Sequence, residues 1–169
     1  MPIEFTEQAA KLTATETDKK VVGVQNPDPI AQLDIEMNVE SAQLAMFSPT
    51  LRSMLFHLSG AVQHDLADQA HDAPDVRFPE LKYPLKWEHK MEDAIFTIHR
   101  GLGGKSDLVF DKAVVKHFGL TPKQGGTVAI HFRVRSTTPN KAAFGALADL
   151  LKTDIAFSLA LAPDPDPDE

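Results

Sequence analysis

The chain has 169 residues, 43% of them hydrophobic, with no cysteine and a net charge of −7. That length suits one globular domain that buries roughly 70% of its unfolded surface without a covalent staple. The missing thiols exclude disulfides, cysteine-based zinc sites and thiol nucleophiles. No apolar run reaches the ~20 residues of a membrane span, and residues 1–10 lack the basic-then-apolar order of a secretory leader. The expectation is a cytoplasmic protein with no membrane contact.

Residues 1–29 are weakly patterned and acidic. Val21, Val22 and Val24 suit a short edge strand, and Asn26-Pro27-Asp28-Pro29 is a turn or linker. The arm is expected to be flexible, or ordered only on a partner. A single domain over 30–162 follows, then a disordered acidic tail, 163–169. Leu33, Ile35, Met37 and Val39 alternate with Asp34, Glu36, Asn38 and Glu40, which predicts a strand with one acidic face. Ser48 and Pro49 open a predicted helix that carries Leu51, Leu55, Leu58, Val62 and Leu66 on one stripe and ends near His71.

After the proline-punctuated stretch 74–84, residues 85–90 and 94–100 read as two strands of a hairpin turning at Met91-Glu92-Asp93. Residues 108–110 read as a short strand, and 111–118 as a short helix closed by Gly119. Thr121-Pro122-Lys123-Gln124-Gly125-Gly126 is turn chemistry. The strand from Thr127 to Ser136 turns Val128, Ile130, Phe132 and Val134 inward and His131, Arg133 and Arg135 outward. A helix bearing Phe144, Leu147, Leu150 and Leu151, then a strand bearing Ile155, Phe157, Leu159 and Leu161, complete an expected parallel crossover. The fold class these elements predict is α+β. It is a mixed, largely antiparallel sheet with helices packed on one face and a C-terminal β-α-β crossover.

Charge is sorted along the chain. Residues 81–136 hold ten Lys/Arg against five acids, a local +5, which leaves −12 for the remainder. Such a field steers charged partners. Its predicted focus is the outward row His131, Arg133 and Arg135, extended by His99, Arg100 and Lys105, a surface that suits phosphates, RNA or an acidic protein. The competing reading is an ordinary polar face covered by the chain's own acids. Trp87, Tyr83 and Phe96 lie among lysines as base-stacking residues do, although core positions fit them better.

Gly101-Leu102-Gly103-Gly104-Lys105-Ser106 invites a phosphate-loop reading, but His99 stands where the pattern needs its first glycine and a strand follows instead of a helix. A nucleotide-using enzyme centred on Lys105 is therefore the weakest alternative. His64, Asp68 and His71 would share a helical face, where a solvated surface is the ordinary reading and a metal the exceptional one. Neither metal nor cofactor is expected. No spacing singles out a catalytic triad.

Two stretches, Gly101-Leu102-Gly103-Gly104-Lys105-Ser106-Asp107 and Pro122-Lys123-Gln124-Gly125-Gly126-Thr127-Val128 with Phe132-Arg133-Val134, resemble small accessory proteins of tailed phages and prophages. The likeness covers the C-terminal half and implies an accessory role. It carries over no catalytic residue. The expected function is non-enzymatic binding of a macromolecular partner, a protein or assembly in nucleic-acid metabolism or host defence. The alternative is direct binding of DNA or RNA through the basic strand face. Opposite charge on identical chains also predicts self-association into a homo-oligomer.

Overall fold

The structure, a computed structural model, describes residues 3–19, 29–57, 74–101, 106–137 and 141–163. Six long strands dominate it: β1 (Phe5–Lys19), β2 (Pro29–Glu40), β6 (Met91–His99), β7 (Leu108–Lys123), β8 (Thr127–Thr137) and β9 (Asp154–Leu161). Three shorter strands are β3 (Phe56–His57) and β4 (Asp75–Val76), which pair with each other, and β5 (Leu85–Trp87), which extends the main sheet along β7. The helical parts are a 3-10 segment (Ser41–Met46), α1 (Leu51–Leu55) and α2 (Lys141–Leu150).

The long strands pair in the order β7-β6-β9-β1-β2-β8, and β8 pairs back on β7. Every pairing is antiparallel, so the sheet closes into a six-stranded barrel without long free edges. This corrects the expected α+β class. A closed sheet buries its apolar face against itself and needs no helical layer. The β-α-β crossover is corrected too. The chain leaves β8 through α2, but β9 lies between β1 and β6, antiparallel to both.

Side chains fill the barrel. Phe96, Phe110, Phe118, Phe132 and Phe157 are all fully buried. Ring centroids 5.4–6.2 Å apart link them as Phe110, Phe96, Phe157, Phe132 and Phe118. The chain of rings then leaves the interior through Phe47 to Trp87. Spacings of this size suit edge-to-face and offset contacts.

Bulges shape the strands. Where β7 passes Lys116 to Gly119, β8 passes only Arg133 to His131, and the extra residue, His117, sits at φ 59°. Lys112, at φ 49°, marks a second bulge in β7, opposite β6. Asp93 in β6 (φ 54°) and Glu7 in β1 (φ 46°) mark two more. Each of these four inserted residues takes the left-handed conformation seen in one class of bulge.

These bulges explain the misreading of 111–118 as a helix. Inward positions along β7 fall at Phe110, Ala113, Val115, Phe118 and Leu120. Two insertions convert a period of two into steps of three and two, which imitates helical spacing.

The arm over 1–29 is expected to be flexible or ordered on a partner. Instead, Phe5–Lys19 forms β1, paired to β2 on one side and β9 on the other. Its order comes from two backbone ladders and not from its few apolar residues. The proposed valine strand at 21–24 lies outside the described residues. Of the helix predicted from Pro49, Leu51–Leu55 is helical and Phe56–His57 pairs with Asp75–Val76, while Leu58, Val62 and Leu66 lie outside the described residues. The expected hairpin at 91–93 is absent. β5 and β6 lie end to end along the same edge of β7. No helix among the described residues is long and apolar enough to cross a membrane.

Candidate functional site

On the outer wall, β2 presents Gln32, Asp34 and Glu36, and β8 presents Arg135, Arg133 and His131 directly opposite. The registers put acid against base. Arg133 donates from Nε to Asp34 Oδ1 at 2.7 Å and from Nη2 to Asp34 Oδ2 at 3.0 Å, a bidentate clasp. Arg135 stays exposed, between Gln32 of β2 and Val114 of β7. The expected basic face is thus partly neutralised by its neighbour strand.

The other expected residues do not join that row. His99 ends β6, which pairs with β7 and β9 and not with β8. Arg100 follows it and is exposed. Lys105 lies outside the described residues, as do His64, Asp68, His71 and the tail 164–169. Tyr83 is half-buried, and its hydroxyl donates to the Phe78 carbonyl at 2.9 Å. Phe96 is core.

The basic surplus gathers instead where β5 meets β7. A cleft of about 530 Å³ opens there, bounded by Lys86, Lys90 and Lys116, with Glu88 as its one acid. His89, His117 and His131 also line it, and Trp87 and Phe118 supply apolar surface. Trp87, the chain's single tryptophan, is half-buried and braced edge-on by Phe47 at 6.1 Å. The His89 ring lies 6.3 Å from Phe118. Lys90 pairs with Glu92, both exposed, so that ion pair is worth little.

Local backbone chemistry builds this cleft. The bulge at His117 turns its side chain out next to Lys116. Across the strand, Gly119 leaves room for the His131 ring: a Cβ there would lie 1.9 Å from His131 Cε1. An imidazole laid on a glycine's backbone is held to one side of the strand. A second hollow of about 390 Å³ shares His117 and His131 and runs toward Asp34 and Glu36. The two hollows share only these imidazoles: lysines line the β5 side, and Asp34, Glu36 and Arg133 line the β2 side.

A separate cluster stands at the end of β6. His99 Nδ1 is 3.1 Å from Asp107 Oδ2, and His99 Nε2 is 2.7 Å from Ser158 Oγ. The Arg100 backbone N–H, donating to Asp107 at 2.9 Å, and then His99 hold that carboxyl below its ordinary range. Reasoning from sequence missed this trio because its members are 8 and 59 residues apart. Only the β6–β9 pairing brings Ser158 to His99. Among the described residues no group of three His, Cys, Asp or Glu is placed to hold a metal ion.

No protein-family model, curated protein or solved structure matches this chain.

Proposed function

We propose that the protein binds single-stranded nucleic acid in the cleft between β5 and β7. One observation carries the reading: three lysines and three imidazoles surround a half-buried tryptophan, with a single acid among them. Lysines supply the phosphate contacts, and an aromatic ring offers a platform on which any base stacks. At the other hollow Asp34 is paired with Arg133 and Glu36 adds a negative charge, so the lysines of the β5 side offer the stronger phosphate attraction. The β8 row, the focus expected from the sequence, is secondary because Asp34 already occupies Arg133.

Trp87 reports on its own cleft. Titrating an oligothymidylate into the full chain at low salt should quench its fluorescence saturably, and added salt should reverse the effect. Emission unchanged by the oligonucleotide at low salt overturns the reading and returns the protein-docking alternative to first place.

A further inference from the structure

We propose that Ser158, His99 and Asp107 act as nucleophile, base and orienting carboxylate in the cleavage of carboxylic esters on the β6–β9 wall. The hydrogen-bond pattern leaves little freedom in where the protons sit. Asp107, ionised, only accepts, and it already receives the Arg100 N–H on Oδ1. His99 Nδ1 must therefore be the donor to Oδ2. In the neutral ring Nε2 is then the bare acceptor, so Ser158 Oγ donates to it at 2.7 Å. That is the proton arrangement of a serine–histidine nucleophile pair, and such relays are recognised by geometry and role and not by chain order.

The supports around the trio have the same sense. Ser106 Oγ donates to the Arg100 carbonyl at 2.6 Å, which ties the residue before Asp107 to the end of β6. The Glu7 N–H, turned by the bulge in β1, donates to Ser158 Oγ at 3.0 Å. The His99 and Asp107 side chains keep 27% and 13% of their exposure, so the relay is sheltered yet reachable. Ala156 and Ala160, two residues either side of Ser158 on β9, leave its hydroxyl unobstructed along the strand.

In the reaction, the Oγ–H proton passes to His99 Nε2 as the Oγ–C bond forms. The imidazolium returns it to the departing alkoxide as the ester C–O bond breaks. Water then gives a proton to the same nitrogen as its oxygen bonds to the acyl carbon; the Oγ–C bond breaks, the imidazolium returns that proton to Oγ, and a carboxylic acid leaves. Asp107 touches no substrate and is a positioning residue.

The test uses the full chain and a fluorophosphonate probe, whose P–F bond breaks as Oγ–P forms, with release of fluoride and a proton. One adduct should appear, mapped to Ser158 by peptide mass, absent in Ser158→Ala and formed about 10²–10⁴-fold more slowly in His99→Gln. If His99→Gln fails to give the wild-type circular dichroism spectrum, His99→Asn takes its place. In the proton NMR spectrum the downfield His99 Nδ1–H resonance should vanish in Asp107→Asn, a readout that reports the orienting contact itself. No adduct on Ser158, or a His99 variant labelled as fast as wild type, overturns the proposal. Because this cluster shares no residue with the nucleic-acid cleft, failure of one reading leaves the other standing.

Discussion

Two seams on the barrel wall carry Lys86, Lys116, Arg133 and Arg135 of the basic middle third, and they end in opposite states. At the β2–β8 seam, antiparallel register sets Asp34 against Arg133 and Glu36 against His131, and a carboxylate clasps the guanidinium. At the β5–β7 seam, Lys86 stands opposite Gly119, and Lys116 faces Arg133 across the β7–β8 ladder. Neither lysine has a carboxylate across from it, so the field stays open to solvent. A run of positive charge in a sequence becomes a binding surface only where strand register leaves it unmatched. Local charge counts cannot show this, because the neutralising acids come from a strand a hundred residues away.

The largest expected effect removes the scaffold that both seams share. Phe157 is fully buried and touches Phe5, Phe96 and Phe132. Phe157→Ala should cost about 3–5 kcal/mol of unfolding free energy, measured by denaturant titration. A loss below ~1 kcal/mol would mean that the barrel is not closed around this ring.

A smaller change inverts the comparison. Asp34→Asn removes the carboxylate that clasps Arg133. Because the pair is about one-third exposed on each side, the stability lost should not exceed about 1 kcal/mol. Oligothymidylate binding should nevertheless tighten several-fold, read by anisotropy. Unchanged affinity would mean that the carboxylate does not mask this seam.

The smallest effect is local. Gly119→Ala expels the His131 ring from its seat on the strand. Stability should shift by less than about 1 kcal/mol, since the obstructing atoms belong to an exposed ring that can rotate away. Nucleic-acid affinity should fall as far as in His131→Ala. A fall in the alanine variant of His131 alone would show that the ring works from another position.

Several strands were legible in the sequence, for a physical reason. Those now labelled β2, β6, β8 and β9 alternate apolar and polar residues without interruption over most of their length, so the period of two survives. β7 was illegible because its two bulges shift the inward set at Lys112 and His117, and nothing in the residue types of a bulge announces it. β1 was illegible because Ala14, Thr15, Glu16 and Thr17 have little apolar pattern and gain their order from the β2 ladder. Barrel closure depends on β7 pairing to both β6 and β8, so misreading that one strand concealed the architecture.

The candidate sites divide in the same way. Trp87 among lysines was visible in the sequence, and so was the outward row on β8. The clasp on Arg133, the seat of His131 on Gly119 and the Ser158–His99–Asp107 contacts arise from strand pairing, which composition does not encode. A sequence signal existed for one of them: His99 closes a strand and Asp107 precedes the next across a glycine turn, an arrangement that brings hairpin ends together.

The most direct test of the central claim is the salt dependence of oligothymidylate binding in three proteins: wild type, Lys86→Ala/Lys116→Ala and Arg135→Ala. If the open seam is the binding surface, the double lysine variant lowers the slope of log K against log salt by about 1.4, two single-strand phosphate contacts, and Arg135→Ala leaves it nearly unchanged. A slope that drops with Arg135→Ala and stays put in the double lysine variant would contradict the account.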